Sequence, residues 1–281
     1  MMWNIFSCKT VDGLKLYGGL VEAKKRTTSV VVHVHGMGDF FCGGMLVEAV
    51  AKAANAAGHD FFAFNNRGAG MVTRMGKGLY GTSMEKFEDC KKDISAALLE
   101  LKKRGYKKFI LSGHSTGCQK VTYYTATVKK FPINALLLLS PADDLALQKS
   151  ILGKNFQKCL MTAEKLSKKN KGDTILPAEF KTPMWSAQRF YHLFKSNSIE
   201  GNIFNYAKPI TMTGKIKQPI MAIFGEEEQY TVLPPEVMLK KISATYINKK
   251  SKTAVIPRAD HSFHGEEATL YKVLKKFLTS L

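Results

Sequence analysis

The sequence predicts an α/β fold: a mostly parallel central sheet flanked by helices, with one helical insertion. Three observations carry that expectation. Short apolar runs alternate with helical patterns along most of the chain, the signature of β-α-β units. Val30 to Val34 is almost continuously β-branched, as in a strand covered on both faces. Between residues 145 and 216 that alternation stops and no buried-strand pattern is left. The expected organisation is therefore a first core segment at 1–144, a helical cap at 145–216, and a second core segment at 217–281.

In chain order, residues 3–22 read as an antiparallel hairpin turning at Asp12-Gly13. The Val30–Val34 strand ends in His35-Gly36-Met37-Gly38-Asp39, and a helix follows from Met45 to Ala57, stopped by Gly58. Phe61 to Phe64 is the next strand and runs into a glycine-rich turn where Arg67 is expected to brace the backbone. Glu85 to Arg104 has Phe87, Cys90, Ile94, Leu98 and Leu101 on one helical face. Phe109 to Leu111 forms a strand, Gly113 to Gly117 a tight turn, and a helix follows. Ala135 to Leu139 is a further buried strand, closed by Ser140-Pro141-Ala142-Asp143-Asp144.

The insertion carries seven aromatics between Phe180 and Tyr206: Phe180, Trp185, Phe190, Tyr191, Phe194, Phe204 and Tyr206. They either line a pocket beneath the cap or form the cap's own core, and both readings stand. Pro219 to Phe224 resumes the sheet, followed by Gly225-Glu226-Glu227-Glu228 and a helix from Pro235 to Ser243. Thr253 to Ile256 is the last strand, leading through Ala259-Asp260-His261-Ser262-Phe263 to a helix from Glu266 to Leu278. His264 is expected to start that helix.

Composition limits the function classes. A chain of 281 residues, 45% hydrophobic and 23% charged, can bury a sizeable single core. No apolar run approaches the roughly 18 residues of a membrane-spanning helix, and the first residues lack the pattern of a secretory signal. Five scattered cysteines without C-x-x-C spacing suit free thiols in a reducing compartment, so the cytoplasm is the expected location. The formal charge of +19 invites a polyanion-binding reading. The lysines are dispersed over many elements, only six of the 42 basic residues are Arg, and no nucleic-acid motif occurs. Nucleic acid is therefore not expected as a partner.

The chemistry centres on Gly113-His114-Ser115-Thr116-Gly117. An ordinary loop also fits a bare G-x-S-x-G. The strand before it and the helix after it turn the match into a nucleophile elbow, which lifts Ser115 to the top of the sheet. A serine hydroxyl needs a base to take its proton, and a histidine base needs a carboxylate to orient it. Ser115 is followed by the acidic turn 226–228 and then by His261, each just past a strand, where open α/β sheets place their functional groups.

Together, His35-Gly36-Met37-Gly38, the Ser115 elbow, Gly225-Glu226-Glu227-Glu228 and Ala259-Asp260-His261-Ser262-Phe263 resemble the motifs of the α/β-hydrolase superfamily over nearly the whole chain outside the cap. The resemblance implies a Ser115–acid–His261 triad, with Glu228 as the acid by its register three residues after Gly225. Aspartate is commoner there; Glu226, Glu227, Asp143 and Asp144 remain alternatives. It also implies oxyanion donors at the Met37 and Thr116 backbone N–H groups, and neither a metal nor an organic cofactor. The elbow is similar to that of a branch including fungal siderophore esterases. Cys118 is expected to pack beneath it. The implied activity is hydrolysis of a small to medium carboxylic ester, apolar or anionic. An amidase, thioesterase or acyltransferase would use the same residues, and a non-catalytic binding protein could share the fold.

Overall fold

The computed structural model describes residues 2–76, 78–182 and 184–281. The N-terminal hairpin is β1 (Asn4–Lys9) and β2 (Lys15–Val21), paired antiparallel. Then come β3 (Ser29–Val34), α1 (Gly44–Ala56), β4 (Asp60–Phe64), and a small hairpin of β5 (Thr73–Met75) and β6 (Gly78–Tyr80). The middle of the chain holds α2 (Cys90–Lys103), β7 (Lys108–His114), α3 (Thr116–Thr127) and β8 (Ile133–Leu139). The main sheet has the order β1-β2-β4-β3-β7-β8-β9-β10, where β9 is Ile220–Gly225 and β10 is Lys252–Ile256. In this sheet β2 alone runs against the common direction, pairing antiparallel with β1 and β4, and β4, β3, β7, β8, β9 and β10 pair parallel.

The buried strands are the ones whose sequences are apolar on both faces. Every residue of β3, β4 and β9 is buried, because helices cover both sides of a parallel sheet. One apolar layer joins the sheet to α2, α3 and α8 (Pro235–Ser243). The opposite layer joins it to α1 and α9 (Glu267–Thr279). Between β8 and β9 the chain inserts α4 (Asp144–Leu152), α5 (Phe156–Lys168), α6 (Ala187–Phe194) and the short α7 (Glu200–Ile203).

Several local expectations are corrected. β7 continues to His114, because its residues through His114 pair with β8 up to Leu139; the turn is thus tighter than the glycine pattern suggested. The helix expected from Glu85 opens as a 3-10 turn at Phe87 and becomes α-helical only at Cys90, leaving Glu85 free to serve another contact. The β5–β6 hairpin, three residues a side, gave no periodic signal. His264 precedes α9 and bonds Asp260 through Nδ1 at 2.7 Å.

The seven insertion aromatics divide by depth. Phe180, Trp185, Phe190 and Phe194 sit in the insertion's own apolar cluster, with Tyr191 at its edge, whereas Phe204 and Tyr206 join the main core. Arg67 braces its turn as expected, through ion pairs to Asp12, Asp89 and Asp93.

Candidate active site

The sharpest backbone feature is the turn between β7 and α3. Ser115 has φ 54° and ψ −128°, a region that costs a non-glycine residue of order 1–3 kcal/mol and persists only when its surroundings enforce it. They do so here. The Ser115 N–H donates to Leu139 O at 2.9 Å, and Ser115 O accepts from the Cys118 N–H at 2.9 Å. Gly113 and Gly117 admit no side chain: a Cβ at Gly117 would lie 2.0 Å from Val34 O, and one at Gly113 would lie 2.4 Å from Gly117 O. Helix α3 can therefore approach β3 and β7 closely enough to present Ser115 above the sheet. Cys118 packs under the turn, its thiol donating to Gly113 O and Leu139 O. Burial pushes that thiol far up, so it is not a nucleophile.

His261 is held at both ends of its backbone. Its N–H donates to Gln229 Oε1 at 2.9 Å. Its carbonyl accepts from Ser140 Oγ and from His114 Nε2, each at 3.0 Å. His114 is buried and its basicity is driven well down, first by burial and then by His261 beside it. It stays neutral with its proton on Nε2. The His261 ring donates through Nδ1 to Glu228 Oε1 at 2.7 Å, and that oxygen also accepts from the Tyr230 N–H at 2.9 Å. The Tyr230 ring lies edge-on to His261, centroids 4.7 Å apart. With Nδ1 committed to the carboxylate, Nε2 is the free ring nitrogen.

These groups meet at a cavity of about 420 Å³ bordered by Gly36, Met37, Ser115, Trp185, Tyr230 and His261, with Asp39, Asp144, Leu147, Ile151 and Lys181 toward its rim and insertion side. Larger concavities lie elsewhere, one of about 760 Å³ beside Lys24, Lys52 and Tyr271, but neither Ser115 nor His261 borders it. Of the seven insertion aromatics only Trp185 reaches the cavity. Among the described residues neither the Met37 nor the Thr116 backbone N–H has a protein acceptor, and no hydrogen bond joins Ser115 Oγ to His261. No metal-holding cluster of His, Cys, Asp or Glu occurs among them either.

The alternative acids are separated by position. Glu226 accepts from the Arg258 N–H at the surface, and Glu227 is likewise outside the His261 contact. Asp143 caps α4 through the Ala146 N–H and accepts from the Tyr206 N–H. Asp144 borders the cavity, where Oδ2 accepts from Gln119 Nε2 at 3.1 Å.

Sequence reasoning passed over Ser140, His114, Gln229 and Tyr230. His114 ends β7 and the other three follow the ends of β8 and β9, the one signal that could have marked them.

Asp144 supplies a pH test. Burial, then repulsion from Glu200, raises its carboxyl to about 8, with Arg189 opposing. A raised acid binds its proton in the folded but not the unfolded chain between about pH 4 and 8, so stability falls as pH rises across that window. Its contribution to the slope is at most about 1.4 kcal/mol per pH unit. Asp144→Asn is expected to flatten urea-unfolding stability over that range, and an unchanged slope would refute the assignment.

Comparisons of the whole chain bear on its fold and family. No curated protein matches the sequence. Among solved structures it is similar to the siderophore hydrolase EstB from Aspergillus fumigatus, with 17% identity and a TM-score of 0.73 over 99% of this chain and 98% of that one. Est1E from Butyrivibrio proteoclasticus, with ferulic acid bound, gives 18% identity and a TM-score of 0.71 over 98% of both chains. A soluble variant of monoglyceride lipase from Saccharomyces cerevisiae, in complex with a substrate analog, gives 17% and 0.70 over 100% and 96%. The fold is therefore that of the α/β-hydrolases, and the chain belongs to the family described as "Protein of unknown function (DUF1749)", whose model matches residues 16–281.

Proposed function

We propose that this protein is a serine hydrolase that cleaves small to medium carboxylic esters through a Ser115–His261–Glu228 triad and an acyl-enzyme intermediate. The observation that carries the reading is the 2.7 Å bond from His261 Nδ1 to Glu228 Oε1, on a cavity shared with Ser115. In the neutral ring that bond places the proton on Nδ1 and turns Nε2 to the cavity as the base. In the reaction, His261 Nε2 takes the Ser115 proton as Oγ attacks the ester carbonyl; this contact closes in the substrate complex. The Met37 and Thr116 N–H groups, the second at the start of α3, donate to the developing oxyanion. Protonated His261 returns its proton to the leaving alcohol. Water then attacks the acyl-enzyme with His261 again as base, and the imidazolium formed in each half is stabilised by Glu228.

Helices α4 to α7 act as a cap whose face, with Leu147, Ile151 and Trp185, offers apolar surface to the acyl or alcohol part. A cavity of about 420 Å³ suits ligands of modest size. The similar folds include a siderophore hydrolase, an esterase of Pyrococcus furiosus and a monoglyceride lipase, which favours an ester over an amide. Five free cysteines fit a reducing compartment such as the cytoplasm. No helix among the described residues is long and apolar enough to cross a membrane.

The direct test is reaction with a fluorophosphonate probe, peptide mapping of the adduct, and a chain-length series of p-nitrophenyl esters. A single adduct on Ser115 with turnover of short to medium chains is expected. A folded protein that neither labels nor turns over any ester would remove the esterase reading.

A further inference from the structure

Lys120 lies on α3, little more than one turn beyond Ser115, and has no exposure to solvent. Its charge is met by Glu85, which links it to a second ion pair in the insertion. Nζ is 2.6 Å from Glu85 Oε1, in the segment before α2. Glu85 Oε2 faces Arg189 Nη2 of α6 at 3.9 Å, and Arg189 clasps Glu200 at the start of α7 with both Nη groups. All four side chains are essentially buried. Two cations and two anions make a neutral cluster that joins the elbow helix to the cap. Apolar side chains of the same volume would fill such a space without loss of stability; the ion cluster adds fixed direction.

From Lys120 the contacts continue into the turn after β3. Lys120 Nζ donates to Asn66 Oδ1 at 3.2 Å. Asn66 holds His35 at two points: its backbone N–H donates to His35 Nε2 at 3.1 Å, and its Nδ2 donates to His35 O at 3.3 Å. A backbone N–H can only donate, so His35 Nε2 is unprotonated and the ring proton is on Nδ1. Nδ1 donates it to Gly36 O at 2.9 Å. Burial, and then the Lys120 charge, bring His35 down to about 3, which keeps this neutral tautomer at any working pH. The Gly36 carbonyl and the Met37 N–H belong to one planar peptide and point in opposite directions. Tying the oxygen back to His35 aims the N–H. The Met37 side chain also packs on the cap's apolar cluster, a second tether of the same turn.

We propose that His35 and Lys120 are positioning residues for the Met37 oxyanion donor, and that the Lys120–Glu85–Arg189–Glu200 cluster makes the aim of that donor depend on the seating of the cap. The proposal rests on the Ser115 esterase reading and adds a control of its transition state by a buried route from α6.

The test compares His35→Leu, His35→Asn, the paired change Lys120→Met with Glu85→Gln, and the paired change Arg189→Met with Glu200→Gln. For each, kcat and KM on p-nitrophenyl acetate, inhibition by phenylboronic acid, and thermal midpoint are measured. Boronic acids form a tetrahedral serine adduct that occupies the oxyanion site, whereas KM reports the ground state. His35→Leu and the Lys120/Glu85 pair are expected to lower kcat by about 10- to 100-fold, less than outright loss of a donor. Boronic acid affinity should fall by a similar factor, with KM within about twofold. His35→Asn should recover most of the loss, because its Nδ2 can donate to Gly36 O.

The Arg189/Glu200 pair should act in the same direction. Combined with His35→Leu, its losses should fall short of multiplicative, the sign of a shared route. The proposal is overturned if folded variants keep wild-type kcat and boronic acid affinity, if only KM moves, or if asparagine rescues no better than leucine. Should a paired variant fail to fold, the two His35 variants decide. A wild type that reacts with neither fluorophosphonate nor boronic acid would take away the esterase reading, and this proposal with it.

Discussion

Ser115→Ala is expected to lower kcat on p-nitrophenyl esters by about 10⁵- to 10⁶-fold, with the fold and thermal midpoint intact. The large factor follows from the chemistry: without Oγ there is no acyl-enzyme, and His261 has no proton to take. The residue left over is what the N–H groups of Met37 and Thr116 can do for direct attack by water, roughly 10³-fold above the uncatalysed rate. Stability should hardly fall, because Ser115 is bonded through its backbone to Leu139 and Cys118. Alanine would occupy the same φ of 54°, which those backbone bonds hold. The measurement is steady-state kinetics beside fluorophosphonate labelling. Retained turnover after this change would exclude Ser115 as the nucleophile, whatever the cavity binds.

The second large effect is at Glu228. Replacement by alanine should cost about 10⁴-fold in kcat, because the His261 ring loses both its tautomer control and the anion that stabilises the imidazolium. Glutamine is the more informative change. Glu228 Oε1 already accepts from two N–H groups, those of His261 and Tyr230, while Oε2 is buried without a partner. The amide oxygen is therefore expected to keep the Oε1 place and hold the ring in its wild-type tautomer. The new NH₂ then lies where Oε2 was, a buried donor without an acceptor, at a stability cost of about 1–3 kcal/mol. Glu228→Gln should thus retain more activity than Glu228→Ala but melt lower than wild type. Kinetics and thermal unfolding on the two variants check both halves. Equal kcat for Glu228→Ala and wild type would move the acid elsewhere, with cavity-facing Asp144 the next to test.

Much of the site was legible because it is written in local rules. A serine flanked by Gly113 and Gly117 between a strand and a helix specifies an elbow, since only glycine permits backbones 2.0 to 2.4 Å from where a Cβ would be. The register of Glu228, three residues past the end of β9, and of His261, five past the end of β10, follows from strand ends alone. Boundaries were less legible. Glu85 was expected to open the helix but stands before it, turned to the buried charges of Lys120 and Arg189, a long-range pull that outweighs helical propensity.

The sequence by itself determined the sheet, the tight turn at Ser115 and the chain order of Ser115, the 226–228 carboxylates and His261, because hydrophobic period and glycine sterics act over neighbouring residues. Only the tertiary structure decided which carboxylate meets His261, which aromatics stay inside the insertion, and why a lysine can be buried beside the Ser115 turn. Those outcomes depend on charges and rings from segments tens of residues apart arriving within about 3 Å of one another, a distance at which hydrogen-bond geometry selects one partner and which no spacing along the chain encodes.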